Sequence, residues 1–175
     1  SSLPFDENVE ITKEIVALAH SKGITVEAEI GHVGGGESYI DPEKDKSQLT
    51  TVEEAKHFVE LTNVDSLAVS IGTAHGAYKG TPKIDFDRLY QINQAINIPL
   101  VLHGGSGSGE ENLSKAVELG ICKVNIFTDL TIAAYEKIAG DFENINYYDM
   151  ASLAEEGIKE CLLKYYSIFK TIGGM

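Results

Sequence analysis

The sequence has few of the residues that mark specialised protein classes. It contains no Trp, 8 % aromatic residues, four Pro and two Cys among 175 residues. The two cysteines, Cys122 and Cys161, lie too far apart in sequence to suggest a disulfide framework, so we expect buried thiols without a redox role in a reducing cytoplasm. No uninterrupted apolar run approaches the roughly 20 residues that a membrane-spanning helix needs.

Basic residues are also scarce. The chain has 14 Lys and Arg against 27 Asp and Glu, which gives a net charge of −13. Neutralising the phosphates of a nucleic acid, or docking on an anionic membrane, requires a surplus of Lys and Arg. We therefore expect neither nucleic acid nor a membrane as a partner. The length fits about one domain with a sizeable core.

The chain also lacks an initiator Met. It begins Ser1-Ser2-Leu3 and passes almost directly into a helical pattern of apolar residues. Such a start fits either a processed mature N-terminus or a fragment of a longer protein, and the opening residues alone favour neither.

A unit of strand, polar loop and helix occurs four times. Apolar runs predict strands at 24–30, 66–71, 99–103 and 123–127. Helix starts are indicated by Thr51 with Glu54, by Asp85, and by Ser108 with Glu111, and a last helix is predicted over 150–168. This pattern is typical of parallel strands buried on both faces. Because an eight-stranded barrel usually needs about 250 residues, four strands make either a small open sheet or half of a barrel.

Polar residues follow every predicted strand. They are Glu29 and Glu37 for the first strand, His75 for the second, His103 for the third, and Asn125 with Thr128 for the fourth. Ligands of parallel α/β folds bind at the carboxyl ends of the strands, so we expect these side chains to share one site.

The stretch 104–108, Gly-Gly-Ser-Gly-Ser, precedes a predicted helix. Backbone N–H groups and the positive end of a helix suit a phosphate, and Thr128 before another helix offers the same. Alternatively, these glycines only form tight turns while Ser108 and Thr128 only cap helices. The two interpretations are equally favoured by this stretch alone.

The histidines differ in what they indicate. A single His at a strand end is more often structural, but His75 and His103 on neighbouring strands beside glycines favour a metal ion, with a carboxylate as a further ligand. We interpret His20 and His57 as structural, and His32 stays undecided.

Four stretches together resemble one family. They are VEAEIG-x-x-GGGE at 26–37, SLAVSIGTAHGAYKG at 66–80, PLVLHGGSG at 99–107 and KVNIFTDL at 123–130. In this order they resemble the class II, zinc-dependent ketose-bisphosphate aldolases, which include fructose- and tagatose-bisphosphate aldolases. The family's fold is a (β/α)8 TIM barrel. The resemblance implies that residues 1–175 form the C-terminal half of one barrel domain, strands five to eight, with 31–49 as a mobile active-site loop.

The resemblance also implies roles for individual residues. His75 and His103 match two of the three zinc ligands, Glu29 matches a carboxylate near the zinc, and Glu37 matches the loop carboxylate that moves a proton at the ketose carbon. A third His ligand is expected upstream of residue 1. The implied substrate-binding residues are Gly76, Lys79, Gly104, Gly105, Ser106, Asn125, Ile126, Phe127 and Thr128.

The implied reaction is a carbon–carbon lyase step of glycolysis, the reversible cleavage of fructose 1,6-bisphosphate to dihydroxyacetone phosphate and glyceraldehyde 3-phosphate. Zinc would stabilise the enediolate charge as a Lewis acid, and the phosphate site would position the substrate. The chain departs from the family pattern twice. No Asp-His pair occurs, so we infer a longer working protein. Phe127 and Thr131 stand where strict fructose-bisphosphate members often carry Asp and Arg, which favours a tagatose or broader ketose substrate.

A non-catalytic barrel subunit is the alternative from another functional class. Such a subunit needs neither both histidines nor the loop glutamate and the phosphate loop, so the enzyme is favoured. We expect a phosphorylated ketose as substrate and a homo-oligomer, a dimer or a tetramer. The last helix either packs on a second subunit or covers the barrel.

Overall fold

The computed structural model describes residues 2–35, 49–75 and 82–171. The strands are β1 (Glu27–Ile30), β2 (Gly34–Gly35), β3 (Ser66–Val69), β4 (Ala74–His75), β5 (Leu100–Leu102) and β6 (Ile121–Val124). The helices are α1 (Phe5–His20), α2 (Val52–Thr62), α3 (Phe86–Ala95), α4 (Glu110–Glu118), α5 (Thr128–Asp141) and α6 (Tyr147–Ile168), with a 3-10 turn at Phe142–Asn144. No helix in the described ranges is long and apolar enough to cross a lipid bilayer.

The main sheet has four parallel strands in the order β1-β3-β5-β6. The order follows the chain without reversal, whereas an open doubly wound sheet reverses its strand order at a switch point. Continuous order is what a barrel requires, so this topology favours the barrel over the small open sheet. A two-stranded parallel ladder that the sequence did not predict joins Gly34 to Ala74 and Gly35 to His75.

One face of the sheet packs against the helices. The register places Leu67 of β3 beside Leu100 of β5, and Leu100 beside Ile121 of β6, and all three belong to the buried core. Phe58 of α2 and Leu89 of α3 complete this layer and are fully buried. Burying an apolar side chain of this size stabilises the fold by about 1.5–3 kcal/mol, so this layer fixes the strands that position the site.

The opposite face carries charge. Because successive side chains of a strand alternate between the two faces, Glu27 and Glu29 of β1 point to the same side. Glu29 pairs in register with Ala68, and Ala68 with Val101, so His103 two residues later also lies on this side. Two carboxylates and an imidazole therefore share the face away from the main core.

Two of the three predicted helix caps are confirmed. Thr51 and Glu54 form a capping box at α2, and the Asp85 side chain accepts the N–H of Arg88 at α3. The predicted box of Ser108 with Glu111 is wrong. The N-cap of α4 is Gly109, at φ +88°, and Ser108 instead donates its hydroxyl to the Gly104 carbonyl at 3.1 Å, which closes the preceding turn.

The prediction of two buried thiols is also wrong for one of them. Cys122 is exposed, whereas Cys161 is half-buried. The register between β5 and β6 shifts at this point, since Leu100 pairs with Ile121 but Val101 pairs with Lys123. Cys122 is thus the extra residue of an irregular pairing, and a bulge of this kind re-aims its side chain.

Candidate functional site

Polar residues gather at the carboxyl edge of the sheet, as the strand pattern predicts. Glu29 lies one residue before the end of β1, and His75 ends β4. His103 directly follows β5, and Asn125 directly follows β6. The parallel topology brings all four to one edge although they are spread over almost a hundred residues of chain.

Glu29, His75 and His103 form a compact group, which we name the His–Glu cluster. One ligand atom from each residue lies within 4.8 Å of the others. The two imidazole ring centroids are 5.8 Å apart. His75 is exposed, while Glu29 and His103 are half-buried. The structure therefore brings together the two histidines predicted as metal ligands and the glutamate that the resemblance places near the metal.

Both ring nitrogens of His103 face carboxylates. Nδ1 lies 2.5 Å from Oε2 of Glu29, and Nε2 lies 3.2 Å from Oε1 of Glu27. Lys123 of β6 holds Glu27 in turn, with its Nζ at 3.0 and 2.8 Å from the two carboxylate oxygens. Three charged partners from β1 and β6 thus fix the orientation of one imidazole.

Contacts among Glu27, Glu29 and His103 shift the pKa of each residue towards its charged form. The hydrogen bond with Glu29 raises the pKa of His103 above its usual value, although burial opposes the shift. Burial is the largest single influence on the pKa of Glu29 and acts to raise it, but hydrogen bonds and neighbouring positive charges, His103 among them, together outweigh burial and lower the net pKa. Glu27 also has a lowered pKa, because hydrogen bonds to Lys123 and His103 outweigh its burial. Each residue of the His103–Glu29 pair therefore favours the charged form of the other.

The chemistry of the His–Glu cluster fits a divalent cation. Two imidazoles and a carboxylate are the donor types that catalytic zinc sites use, typically three protein ligands with one position left for water or substrate. An imidazole ligates as the neutral base, so protonation of His103 and cation binding there would compete. Glu27 and Lys123 stand behind His103 as the outer partners that orient a ligand.

The stretch 104–108, which we name the glycine loop, begins with residues that tolerate no side chain. Gly104 has φ +68°, and a Cβ there would lie 2.2 Å from the carbonyl oxygen of Ala74. At Gly105 a Cβ would lie 2.4 Å from Cγ1 of Val124. The loop is therefore in backbone contact with the strand that ends in His75.

Ser106 connects the glycine loop to the start of α5. Its hydroxyl oxygen accepts the backbone N–H of Phe127 at 3.2 Å and that of Asp129 at 3.3 Å, and the residue is only 4 % exposed. Gly105 donates its N–H to the carbonyl of Asn125 at 3.1 Å. The loop and the first turn of α5 thus form one hydrogen-bonded unit.

An open cavity of about 470 Å³ lies beside His75 and the glycine loop. It is lined by His75, Gly104, Ser106, Val124, Asn125, Ile126, Phe127 and Thr128. All but Val124 are residues that the sequence analysis singled out. Gly105 does not line the cavity, and its N–H is bonded to the Asn125 carbonyl. The phenyl ring of Phe127 is 74 % exposed at the rim.

Some predicted site residues lie outside the described residues. Glu37, Gly76 and Lys79 belong to this group, as does most of the predicted active-site loop 31–49.

The remaining histidines lie away from the His–Glu cluster. His20 contacts Asp65 through Nε2 at 2.9 Å, and His57 stacks on Phe5 with ring centroids 6.1 Å apart. Both therefore have the structural contacts expected of them. His32 is exposed, and its carbonyl accepts the Ser70 hydroxyl at 2.7 Å, so its backbone serves the fold.

Four residues near the site were not anticipated from the sequence. Glu27 contacts His103 and is held in turn by Lys123, and Asp129 and Tyr165 lie behind the glycine loop. A signal existed for Glu27, because it alternates with Glu29 on a strand and such charges on one face need partners. Tyr165 had none, since it lies in the last predicted helix, 36 residues away from Asp129 in the chain.

Comparison with known proteins gives a consistent family. The profile of fructose-bisphosphate aldolase class-II matches residues 1–174. The YdjI aldolase from Escherichia coli K12 is 32 % identical with a TM-score of 0.80, and the match covers 99 % of this chain and 58 % of that one.

Two further structures agree in fold. A Coccidioides immitis protein proposed to be a fructose-1,6-bisphosphate aldolase is 28 % identical with a TM-score of 0.85, covering 98 % of this chain and 61 % of that one. Fructose-bisphosphate aldolase (Fba) from Campylobacter jejuni is 22 % identical with a TM-score of 0.78, covering 97 % and 58 %, a likeness that shows the fold alone. The chain thus spans less than two thirds of each matched structure, and its parallel sheet is part of a TIM barrel.

Proposed function

Because the chain belongs to the class II fructose-bisphosphate aldolase family, we propose that it forms strands five to eight of a metal-dependent aldolase barrel. The proposed reaction is the reversible cleavage of fructose 1,6-bisphosphate to dihydroxyacetone phosphate and glyceraldehyde 3-phosphate. The main support is the position of the His–Glu cluster. Its ligand atoms lie within 4.8 Å of one another, and His75 lines the same cavity as Gly104 and Ser106 of the glycine loop.

His75 and His103 are the proposed zinc ligands, with Glu29 as the adjacent carboxylate and a third His upstream of residue 1. When bound, zinc supplies Lewis-acid stabilisation of the negative charge that develops on the substrate oxygens. Glu27 and Glu29 orient the ring of His103, and Lys123 balances the charge of Glu27. These contacts support a rigid ligand, which is what a catalytic metal site needs.

The glycine loop and the start of α5 are the proposed site for one substrate phosphate. Gly104 and Ser106 line the cavity, and Thr128 is the first residue of α5, where backbone N–H groups favour an anion. The adjoining sugar carbons would contact Asn125, Ile126 and Phe127, which line the cavity. Gly105 supports the loop through its hydrogen bond to the Asn125 carbonyl. Gly76 and Lys79 are proposed phosphate contacts and Glu37 the proton-transfer residue on the resemblance alone.

Tagatose 1,6-bisphosphate is the second candidate substrate. One observation favours it: the exposed ring of Phe127 stands at the cavity rim where strict fructose-bisphosphate members often carry Asp. Unlike an Asp carboxylate, a phenyl ring cannot hydrogen-bond a sugar hydroxyl. One contact that would select the fructose epimer is therefore missing. A non-catalytic barrel subunit is less well supported, because it would not need two imidazoles beside a glycine loop.

The test uses the full-length protein that contains this chain. We expect release of triose phosphates from fructose 1,6-bisphosphate, a loss of at least about a hundredfold in activity after prolonged dialysis against a chelator, and recovery on adding zinc. Activity that survives chelation would refute the metal role. A higher kcat/KM for the tagatose epimer would replace the first substrate by the second. Zinc binding without cleavage of either sugar would indicate the non-catalytic subunit.

The proposed function also implies a cellular location and an oligomeric state. A glycolytic aldolase with two unpaired cysteines, Cys122 and Cys161, belongs in the reducing cytoplasm. A homo-oligomer, a dimer or a tetramer, is proposed from the family resemblance, with α6 as a helix that either contacts a second subunit or covers the barrel.

A further inference from the structure

The glycine loop is held from behind by two residues that do not line the cavity. Gly107 donates its N–H to Oδ2 of Asp129 at 3.0 Å. The hydroxyl of Tyr165 donates to the same oxygen in a short hydrogen bond. Asp129 lies in the first turn of α5, and Tyr165 lies near the end of α6, 36 residues later. One carboxylate oxygen thus connects the loop to a distant helix.

Tyr165 is itself firmly placed. It is 7 % exposed, and its ring stacks on Phe169 with centroids 5.6 Å apart. Burial and the neighbouring Asp129 both raise the pKa of the Tyr165 hydroxyl, so the phenol remains protonated and able to donate. The adjacent Lys164 pairs with Glu110, the first residue of α4, at 2.6 Å. That pair is exposed, so most of the anchoring falls to Tyr165.

The glycine loop borders two separate cavities, which define its front and its back. Gly104 and Ser106 face the cavity of about 470 Å³ at the front. Gly107, Asp129 and Tyr165 line a separate cavity of about 410 Å³ at the back. A carboxylate that moved to the front would repel a phosphate, whereas here both hydrogen bonds keep Oδ2 of Asp129 at the back.

We propose that Tyr165 is a positioning residue for the phosphate site. Acting through Asp129, it keeps that carboxylate behind the glycine loop and fixes Gly107, and with it the front of the loop that would meet the anion. This inference rests on the proposed function of the loop as a phosphate site. Tyr165 touches no substrate in this arrangement, so its effect is on substrate binding and not on the chemical step.

The test compares Tyr165→Phe with Tyr166→Phe in the full-length protein. Phe at 165 keeps the ring that stacks on Phe169 and removes only the hydroxyl, while Tyr166 is the neighbouring residue, 44 % exposed, and serves as the matched control. We expect Y165F to raise KM for the bisphosphate and the calorimetric Kd for inorganic phosphate about fivefold each, with kcat unchanged within about twofold. Y166F should change none of these values.

A second variant separates positioning from general stability. In an Asp129→Ala background, which lacks the acceptor, Y165F should add no further loss of phosphate affinity, because the two residues act through one contact. The inference is overturned if Y165F lowers only the melting temperature while its phosphate Kd matches Y166F, or if kcat falls with KM unchanged. The Kd for inorganic phosphate is measured independently of sugar cleavage. An inactive wild-type protein whose phosphate Kd responds to Y165F would refute the aldolase proposal and still support the positioning role.

Discussion

The His–Glu cluster and the glycine loop meet at one cavity, which His75 and Gly104 both line, and they are built in opposite ways. The cluster consists of charged side chains from β1, β4 and the end of β5, and its geometry depends on what those side chains reach. The loop consists of backbone, and its geometry depends on the absence of side chains at Gly104 and Gly105. The His–Glu cluster therefore depends on side chains that are present, and the glycine loop depends on side chains that are absent.

This contrast predicts how each region fails. Removing a side chain should disable the cluster while the fold survives, because the half-buried edge of the sheet is not its main core. Adding a side chain should distort the loop and cost folding free energy, because the added atom meets backbone. Substitutions at His103, Gly104 and Asp65 test this distinction.

The largest effect is expected from His103→Ala in the full-length protein. The variant should lose bound zinc and at least about a thousandfold in aldolase activity, because it removes an imidazole ligand and the hydrogen bond between His103 and Glu29. Metal content by mass spectrometry and kcat/KM would be measured together. His57→Ala is the matched control, since His57 is exposed and stacks only on Phe5 among the rings of the described residues.

The melting temperature distinguishes a site effect from a folding effect. We expect His103→Ala to keep it within a few degrees of the wild-type value, because the residue lies outside the main core. A variant that retains zinc and activity would contradict the assignment of the cluster. Unfolding at assay temperature would contradict the contrast drawn between the two regions.

An intermediate effect is expected from Gly104→Ala. The new Cβ would lie 2.2 Å from the carbonyl oxygen of Ala74, and the residue would keep a left-handed φ of +68°. We expect a loss of about 3 kcal/mol of unfolding free energy, measured by chemical denaturation, with weaker binding of inorganic phosphate. Gly140→Ala is the matched control, because a Cβ there meets nothing within 4 Å on helix α5. It should be neutral or stabilise by up to about 1 kcal/mol.

The smallest effect is expected at the amino end of the sheet, remote from both regions. Oδ2 of Asp65 accepts the Val26 N–H at 2.6 Å and contacts Nε2 of His20 at 2.9 Å. The hydrogen bonds to His20 and Val26 lower the pKa of Asp65 from its ordinary 3.8. A carboxyl with a lowered pKa stabilises the fold above its ordinary pKa, and this stability is lost as pH falls through the lowered value.

Asp65→Asn should therefore reduce the melting temperature at pH 7, and its difference from wild type should shrink as the pH falls below about 3.8. Glu60→Gln is the control, because its carboxylate makes only an exposed ion pair with Lys56 at 3.9 Å. Neither variant should change zinc content or phosphate affinity. A change in either would show that the two regions are not independent of the far end of the sheet.

The sequence predicted those parts of the molecule that depend on local pattern and topology. Four apolar runs defined the strands, and parallel strands place their carboxyl ends together, so Glu29, His75 and His103 could be assigned to one site in advance. Thr51 and Asp85 were recognisable as caps because a helix start is a local event.

The sequence could not predict contacts that depend on register or on distant packing. The bond of Glu27 to Lys123 joins two strands that are not adjacent in the sheet and lie 96 residues apart in the chain. The exposure of Cys122 results from a pairing shift between β5 and β6, which leaves no mark in the residue order. Serine is a residue type that often caps helices. The Ser108 hydroxyl is instead used in the hydrogen bond to the Gly104 carbonyl that closes the tight turn.

The close approach of Gly104 to Ala74 has a consequence for redesign of the pocket. Two walls of the cavity, the strand that ends in His75 and the loop that begins at Gly104, touch through main-chain atoms and cannot be widened separately. The wall that includes Phe127 is different, since its ring extends into solvent. Libraries that aim to accept a different sugar should therefore diversify position 127 and leave the glycines unchanged.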